Sequence, residues 1–336
     1  MYNNRMKNQI KILDCTLRDG GYVNEWCFGN ETSKKIVSAV DRAGSEYIEV
    51  GFLRKEKHQD GRMVFEHIHQ VDELFPRTNA KQVVMVELGY DYPLEMLPDR
   101  SETNVTMIRV MIWKRMINEG LAYCRALKEK GYEVGVQATR TDEYTDAEFG
   151  DFVKRYNDIH PTALYVVDSF GVMDKEQVLR YVKIADELLD EEIMIGYHAH
   201  NNMQQAYTNT VAFIEHEWNH AIMVDASVLG MGRGAGNLPL ELVCKYLNDK
   251  GADYKIESIV KAADLLPWED APWGYSMPYM LSAMYGRNPS FVNFFVKRGY
   301  NYTYIAKVFE NMRNKGVGIK FDAELGEKYI TNFGKK

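Results

Sequence analysis

The amino-acid sequence predicts an α/β protein built around a closed, eight-stranded parallel barrel. Short apolar runs of strand length alternate with longer segments of helical period, which favours βα units and a parallel sheet. Eight such repeats occupy about 245 residues, close to the ~250 residues of a (β/α)8 barrel. Polar residues gather at the carboxyl ends of the runs, where barrel enzymes carry their active sites. We therefore expect a TIM barrel with a small helical C-terminal appendage.

The predicted strands are eight apolar runs that end in polar residues. They cover 11–17, 47–52, 82–88, 107–113, 133–139, 163–169, 194–200 and 221–227. Amphipathic segments between them predict helices at 33–43, 118–130, 146–158, 175–189 and 203–215, with Ser33, Asp146 and Asp174 as N-cap candidates. A doubly wound open sheet is the rival fold. It needs fewer strands and usually a glycine-rich turn after the first, whereas Asp19-Gly20-Gly21 does not match GxGxxG.

The pattern changes from about Asp249, which predicts a catalytic barrel over 1–248 and a helical region over 249–336. Short helices are predicted at 256–266, 277–285, 290–299 and 304–315. The stretch 267–275 is rich in turn-forming and aromatic residues. We expect this region to pack beside the mouth of the barrel.

Composition restricts the class of protein. The chain has 336 residues, of which 46% are hydrophobic and 26% charged, as in an ordinary globular enzyme. Its formal charge of −7 argues against a nucleic acid or an anionic membrane as partner. The four cysteines are scattered without a CxxC pair, which indicates reduced thiols. Residues 1–11 are polar without a signal-peptide core, and no apolar run reaches the ~18 residues of a membrane span, so we expect a cytoplasmic protein.

A metal site is predicted where the first and seventh strands end. Asp19 follows the first strand, and His198 and His200 end the seventh, two residues apart and therefore on the same side. The first strand neighbours the eighth in a closed barrel, so a carboxylate and two imidazoles would converge on one divalent ion. The alternative is a charged turn and two hydrogen-bonded barrel histidines. Asn237, at the end of the glycine-rich loop 230–237, is either a fourth oxygen ligand or an ordinary turn residue.

Mixed oxygen and nitrogen ligands favour Mn²⁺, with Mg²⁺, Fe²⁺, Co²⁺ or Zn²⁺ as alternatives. Arg18 would lie beside the ion and donate to an enolate oxygen, unless it only forms a salt bridge to Glu49 or Asp168. Other polar side chains at or near predicted strand ends are candidates for substrate binding: Glu49, Arg54, His58 and Ser169.

Three motifs resemble a known superfamily. They are residues 14–20 (DCTLRDG), 197–202 (YHAHNN) and 230–237 (GMGRGAGN), which lie in this order at the ends of strands one, seven and eight. Together they resemble the DRE-type TIM-barrel metallolyases, which have a catalytic domain like that of HMG-CoA lyase. Residues 225–227 and 236–241 are most similar to the 4-hydroxy-2-oxovalerate aldolase branch. The lyase branch carries a reactive cysteine in the glycine-rich loop, and none of the cysteines here lies in that loop.

The resemblance implies a metal-dependent aldehyde-lyase, a class II-type pyruvate aldolase. Asp19, His198 and His200 would hold the metal, a small-molecule 2-oxo acid would chelate it, and Arg18 would stabilise the pyruvate-type enolate formed next to the broken C–C bond. In those aldolases a C-terminal tyrosine reaches the active site and the C-terminal domain docks an acylating aldehyde dehydrogenase. The likeness in this region is limited to Gly274-Tyr275 and Tyr279, so it implies a role for Tyr275 and gives little ground for that partner.

One residue departs from the family pattern. The aldolases carry a histidine base at the position of Tyr22. A phenol with a pKa near 10 is protonated at neutral pH, whereas an imidazole can accept a proton. Tyr22 is therefore expected to donate a hydrogen bond or to position the substrate. His58 or a metal-bound hydroxide would then act as the base.

Two alternatives to the aldolase remain open. One is a Claisen-type synthase or lyase of the same superfamily that uses an acyl-CoA, although the sequence contains no recognisable CoA-binding motif. The other is a non-catalytic barrel that retains the metal site, which Tyr22 favours. In each case we expect a homo-oligomer.

Overall fold

The computed structural model describes residues 9–90, 92–266 and 273–332, which form a closed parallel barrel and a set of C-terminal helices. The strands are β1 (Ile10–Asp14), β2 (Tyr47–Leu53), β3 (Val64–Phe65), β4 (Lys81–Glu87), β5 (Val105–Ile112), β6 (Glu133–Ala138), β7 (Ala163–Asp168), β8 (Met194–Ala199) and β9 (Ile222–Ala226). Their order is β1-β9-β8-β7-β6-β5-β4-β2, and a pairing of β1 with β2 closes the ring. The predicted TIM barrel is confirmed, and β3 only extends the edge of β2.

Helices surround the barrel on its outer side. They are α1 (Asn30–Ala43), α2 (Ile68–Leu74), α3 (Ile117–Glu129), α4 (Asp146–Asn157), α5 (Lys175–Leu188), α6 (Ala206–Glu215) and α7 (Leu240–Asp249). The described part of the β4–β5 connection has two 3-10 turns in place of an α-helix. Pro93 and Pro98 account for this, because proline lacks a backbone donor and disfavours helical backbone in the residue before it.

The N-caps show where local sequence determined the helix ends. Asp174 caps α5 as predicted, since its carboxylate accepts from the backbone N–H of Gln177 at 2.8 Å. Ser33 was expected to cap α1, but the helix begins earlier, at Asn30, after Gly29 in a positive-φ conformation. Thr145, and not Asp146, caps α4 by accepting from Glu148 N at 3.3 Å.

The interior of the barrel is filled by side chains that alternate along the strands. An apolar cluster that includes Leu13, Tyr165 and Met223 fills the centre, as in other barrels of this size. The charged side chain of Arg109 in β5 is fully buried in the same interior. A buried guanidinium group requires carboxylate partners, and these lie at the catalytic end described below.

The C-terminal helices divide between two environments. Helix α8 (Ile256–Ala263) packs against α1 and α7 in the outer layer of the barrel. Helices α9 (Met277–Met284), α10 (Ser290–Val296), α11 (Tyr302–Asn314) and α12 (Ala323–Asn332) form a second, separate apolar core. The last of these helices was not predicted. The boundary expected at 248/249 stays a prediction.

Some expectations fall on residues that the structure does not describe. In the turn-rich aromatic stretch 267–275, residues 267–272 lie outside the described residues, as do residues 1–8 of the polar N-terminal stretch. Within the described residues, no helix combines the length and apolar character needed to cross a bilayer.

Candidate metal centre

The turn after β1 places Arg18 and Asp19 at the carboxyl end of the barrel. The strand ends at Asp14, and Asp19 N then donates to Cys15 O at 2.8 Å, which closes a tight turn. Trp26 Nε1 donates to Arg18 O at 2.7 Å and fixes this turn from above. Gly21 is required here because an added Cβ would lie 2.0 Å from Trp26 Cδ1. The turn is therefore held by these two hydrogen bonds and by the close packing of Trp26 on Gly21.

The two histidines at the end of β8 face Asp19. His198 Nδ1 donates to Asp225 Oδ2 at 2.8 Å, and His200 Nδ1 donates to the backbone oxygen of Asp168 at 3.0 Å. These bonds turn both Nε2 atoms toward Asp19, at 3.9 Å for His198 and 3.4 Å for His200. One ligand atom from each of the three residues lies within 4.8 Å of the others. The carboxylate and the imidazoles thus converge as the sequence predicted.

The protonation states at this point suit a divalent cation. Burial would raise the pKa of Asp19, but the neighbouring charge of Arg18 and the two imidazoles hold the pKa well below its usual range. Burial lowers the pKa of His198, so its imidazole is neutral at pH 7. An anionic carboxylate and imidazoles whose Nδ1 atoms are bonded elsewhere form a donor set typical of metal sites.

Asn237 lies against the same carboxylate. Its Nδ2 donates to Asp19 Oδ2 at 2.8 Å and to Met231 O at 2.9 Å, while its Oδ1 is buried and has no hydrogen-bond partner among the described residues. In this arrangement Asn237 orients Asp19. A direct bond from its oxygen to the metal stays a prediction.

A buried charge network lies below the three candidate ligands. Arg18 Nε donates to Glu49 Oε2 at 2.5 Å, and the same oxygen accepts from Arg109 Nη1 at 3.0 Å. Arg18 also pairs with Asp19, and Arg109 pairs with Asp225. Three carboxylates and two guanidinium groups leave one negative charge unbalanced in a buried site, which is costly. A bound divalent cation would compensate this charge, so the residues present fit a metal ion.

Arg18 has one free edge. Its Nε and Nη1 hold Glu49 and Asp19, while none of the described residues accepts from its Nη2. The salt bridge to Glu49 is present and fixes the guanidinium group, with one nitrogen left unpaired among the described residues. Donation from Arg18 to an enolate oxygen stays a prediction. Glu49 itself is 0% exposed, is absent from the cavity wall and holds the two arginines through Oε2.

A cavity of about 610 Å³ opens above these groups. Its wall includes Arg18, Asp19 and the two histidines of β8, together with the sequence-predicted residues Tyr22, Arg54 and Ser169. The C-terminal region supplies part of the rim through Asn288, Ser290 and residues 319–321. The expected position of this region beside the barrel mouth agrees with these contacts.

Two candidates do not reach the cavity. His58 Nδ1 is 2.7 Å from Val64 O, and its ring stacks on Phe65 with the centroids 5.3 Å apart. Tyr275 is 60% exposed and is absent from the cavity wall. His58 is therefore not placed to act as the base, and the side chain of Tyr275 faces solvent.

Tyr22 lines the cavity as a protonated phenol. Burial, together with the nearby charge of Glu87, raises the pKa of Tyr22 to about 12. The phenol is therefore a donor at neutral pH, as its residue type predicted. Its ring also lies below Arg233, whose guanidinium carbon is 5.2 Å from the centroid.

Sequence reasoning missed other members of this site. Arg109 could have been noticed as a single charge within an otherwise apolar strand. Glu87 ends β4, and the structure places it in the cavity wall with a pKa that burial raises above its usual value. Lys320 lies in the C-terminal region, and no local signal links it to strand ends more than 200 residues earlier.

The fold and these side chains define a class of protein, a TIM-barrel enzyme with a candidate divalent-metal site at the carboxyl ends of its strands. Comparison with known proteins makes this more specific. The chain belongs to the HMGL-like family, whose sequence model matches residues 9–266. The predicted superfamily and the predicted class of enzyme, a metal-dependent lyase of the aldolase type, are confirmed.

Individual relatives agree with this assignment. A 4-hydroxy-2-oxovalerate aldolase of Geobacillus genomosp. 3 is 27% identical over 273 residues, covering 79% of this chain and 80% of that protein. An oxaloacetate decarboxylase of Mycobacterium tuberculosis is 25% identical and covers 77% and 80% of the two chains. The structure of the N-terminal domain of a Bacteroides vulgatus protein described as an aldolase superposes with a TM-score of 0.74 at 28% identity, covering 88% of this chain and 99% of that chain.

A more distant structure shows the fold alone. The carboxyl transferase domain of Rhizobium etli pyruvate carboxylase superposes with a TM-score of 0.71 at 12% identity. It covers 97% of this chain and 61% of that chain, so the likeness includes the C-terminal helices.

Proposed function

We propose that the protein breaks or forms the C–C bond between C3 of a pyruvate unit and the carbonyl carbon of an aldehyde. The observation that carries this proposal is the convergence of Asp19, His198 and His200 beside the free Nη2 of Arg18 in one cavity. An O/N/N ligand set next to a fixed guanidinium group suits a 2-oxo acid, whose keto oxygen gains negative charge during the reaction. Relatives named 4-hydroxy-2-oxovalerate aldolase support the same substrate class.

Asp19, His198 and His200 would hold the metal, for which we propose Mn²⁺ because the donors are mixed oxygen and nitrogen. When bound, the ion would act as a Lewis acid on the 2-oxo acid, a contribution of several kcal/mol. The hydroxyl of Ser169 lies in the same wall and accepts from Arg140 N at 3.0 Å, so its proton is free for a substrate carboxylate.

In the cleavage direction a base takes the proton of the substrate 4-hydroxyl. The C3–C4 bond then breaks, the aldehyde leaves, and the electron pair of that bond forms the enolate of pyruvate. Arg18 donates from Nη2 to the enolate oxygen, a charge-assisted bond that strengthens as charge develops. The protonated base then gives its proton to C3 of the enolate, which completes pyruvate and restores the base, and addition is the reverse of these steps.

We propose Glu87 as the base, in place of the family histidine. Glu87 lies in the cavity wall close enough to Tyr22 to influence its pKa, and its own pKa is raised by burial. A carboxylate with a raised pKa is a better proton acceptor near neutral pH than an ordinary glutamate. Tyr22 would donate to the same substrate hydroxyl and position it.

Decarboxylation of a 2-oxo acid such as oxaloacetate is a second candidate. Loss of CO2 gives the same pyruvate enolate and needs no base, so it tolerates a tyrosine at position 22. The oxaloacetate decarboxylase among the relatives favours this alternative. A homo-oligomeric state and a dehydrogenase partner stay predictions.

The test is exchange of the methyl protons of pyruvate in D2O with Mn²⁺, followed by NMR. We expect exchange in the wild type and its loss in Asp19→Ala. A wild type that releases CO2 from oxaloacetate and cleaves no 4-hydroxy-2-oxo acid would favour the decarboxylase. No exchange and no decarboxylation with any 2-oxo acid or metal would leave the non-catalytic barrel.

A further inference from the structure

Arg54 occupies an aromatic enclosure in the cavity wall. Its side chain is only 9% exposed. The guanidinium carbon lies 4.8 Å from the ring centroid of Trp26, 4.4 Å from Phe52 and 4.6 Å from Tyr90. Stacking on aromatic rings satisfies the faces of a guanidinium group and leaves its N–H edge for hydrogen bonds.

Among the described residues, no acceptor lies within hydrogen-bond distance of that edge. Nε of Arg54 is buried without a hydrogen-bond partner among the described residues. The carboxylate oxygen Oε2 of Glu87 is 3.8 Å from Nη2, which is beyond hydrogen-bond distance. A buried donor without an acceptor is costly, so an arginine left in this state indicates a ligand that supplies the acceptors.

Two further cations share this part of the cavity. Arg233 and Lys320 both line it, and neither forms an ion pair with a described residue. Lys320 Nζ lies 5.6 Å from the centroid of Tyr90, the ring that also stacks on Arg54. Arg54, Arg233 and Lys320 are here called the Arg54 subsite. The carboxylate of Glu87 lies beside them, and all three cations lower its pKa against the rise caused by burial.

The Arg54 subsite lies next to the reacting centre without being part of it. Arg18 and Arg54 both pack on Phe52, at 5.8 and 4.4 Å from its centroid. Arg18 is saturated by Glu49 and Asp19 apart from one nitrogen, whereas Arg54 has no hydrogen bond from its side chain to the described residues. A molecule bound at Arg18 would therefore extend past Phe52 toward Arg54.

We infer that the Arg54 subsite binds an anionic group, a phosphate or a carboxylate, on the aldehyde reactant. This inference rests on the proposed function and names its substrate class: an aldehyde of a few carbons that carries the anion at its far end. A cavity of about 610 Å³ has room for both reactants. Excess positive charge selects against neutral aldehydes by leaving buried donors unpaired when they bind.

The experiment compares aldehyde acceptors in addition to pyruvate with Mn²⁺ present. The acceptors are glycolaldehyde phosphate, glyoxylate and glycolaldehyde, which carry a phosphate, a carboxylate and no charge. We expect kcat/KM for one charged acceptor to exceed that for glycolaldehyde at least tenfold. Arg54→Gln should lower the charged-to-neutral ratio of kcat/KM by about 10- to 100-fold, as expected for the loss of a charge-assisted pair.

Lys320→Gln serves as a second variant that does not endanger folding, because Lys320 is exposed, and it should lower the same ratio by a smaller factor. Arg62→Gln is the matched control. Arg62 also lies against Trp26, at 5.8 Å, but it pairs with Glu56 at 2.6 Å and is absent from the cavity wall. The charged-to-neutral ratio of kcat/KM in Arg62→Gln should equal that of the wild type. Using the ratio cancels any effect of Arg54 on the protonation of Glu87.

A binding measurement separates this inference from the proposed function. Calorimetry of metal-free protein with 2-phosphoglycolate and with glycolate needs no turnover. If 2-phosphoglycolate binds more tightly than glycolate and this difference is lost in Arg54→Gln, the subsite is supported even if pyruvate exchange fails. Exchange with an unchanged ratio in Arg54→Gln would overturn the subsite and leave the aldolase intact. An equal loss with charged and neutral acceptors would also overturn it, since Arg54 would then serve the pyruvate half.

Discussion

At the residue scale, Tyr22 and Glu87 differ in how readily each side chain can accept a proton. The phenol cannot replace a histidine base, since its pKa is raised to about 12 by burial and by the charge of Glu87. The same burial raises the pKa of Glu87 and makes that carboxylate a stronger proton acceptor. The two residues line one cavity, so the proton-accepting role can pass from the turn after β1 to the end of β4.

Glu87→Gln tests this assignment. A base is active only when deprotonated, so wild-type exchange should fall as the pH drops through a pKa that lies above the usual glutamate value. The variant should lose about 10²- to 10⁴-fold in exchange rate together with this acidic limb, with unchanged Mn²⁺ affinity. Pyruvate exchange followed from pH 5 to 9 measures both. Glu143→Gln is the control, because Glu143 also lines the cavity but pairs with Arg140 at 3.1 Å. Wild-type rates in Glu87→Gln would remove Glu87 from the mechanism.

Arg18→Lys tests the fixed guanidinium group. A single ammonium group cannot hold Glu49 and Asp19 and also donate to substrate, because it lacks the planar fork. We expect metal binding to persist and turnover to fall about 10²- to 10³-fold, the usual cost of losing one preorganised donor to a developing oxyanion. Calorimetry with Mn²⁺ and the exchange assay separate the two effects. Turnover close to wild type would show that Arg18 has only a structural role.

At the scale of single elements, β1 combines a catalytic end with a buried acid. Asp14 at its last position is 1% exposed and accepts from Thr16 Oγ1 at 2.6 Å. Burial raises the pKa of Asp14 to about 7. The folded protein therefore holds this proton more tightly than the unfolded chain, whose pKa is about 3.8. Stability from this residue is fully present at low pH and falls as the pH rises from about 4 to 7.

Asp14→Asn should remove that loss. As the pH rises from 5 to 8, the free energy of unfolding of the variant should increase relative to that of the wild type. The increase should be on the order of 2 kcal/mol, since one pKa unit is worth about 1.4 kcal/mol. Urea unfolding at both pH values measures the difference. Asp151→Asn, at an exposed position of α4, should show no such change. An equal pH dependence in Asp14→Asn and wild type would contradict the raised pKa.

At the scale of the whole molecule, the candidate metal site joins the two ends of the barrel sequence. Asp19 follows β1, whereas His198 and His200 end β8, and β9 lies between those two strands in the sheet. An ion bound to all three residues stabilises only the folded state, because the unfolded chain does not bring them together. Metal binding and global stability should therefore be linked.

Mn²⁺ at about 100 times its Kd should stabilise the protein by about 2.7 kcal/mol, seen as a rise in the unfolding midpoint. His200→Ala should lower Mn²⁺ affinity in calorimetry and reduce this gain. His58→Ala is the control, since His58 Nδ1 faces Val64 O and its ring is stacked outside the cavity. Unchanged Mn²⁺ binding in His200→Ala would count decisively against His200 as a ligand.

Much of the fold follows from local sequence. Apolar runs and their period predicted all eight barrel strands to within a few residues, because alternation in a strand and the spacing of a helix leave direct traces in composition. The same alternation placed His198 and His200 on one side of β8. Helix ends were less certain, as α1 shows, since the geometry of Gly29 moved its start three residues ahead of the expected cap.

The sequence by itself therefore determined the barrel, the family and the three residues that converge, because each depends on short-range periodicity or on contiguous motifs. Only the tertiary structure decided which polar groups reach the cavity. It buried Glu49 beneath Arg18, excluded His58 and Tyr275, and brought Lys320 to the rim. The enclosure of Arg54 draws its rings from three separate segments, and no local pattern records such a contact. Barrel closure brings together side chains that are far apart in sequence, and the burial and charge that result set their chemistry.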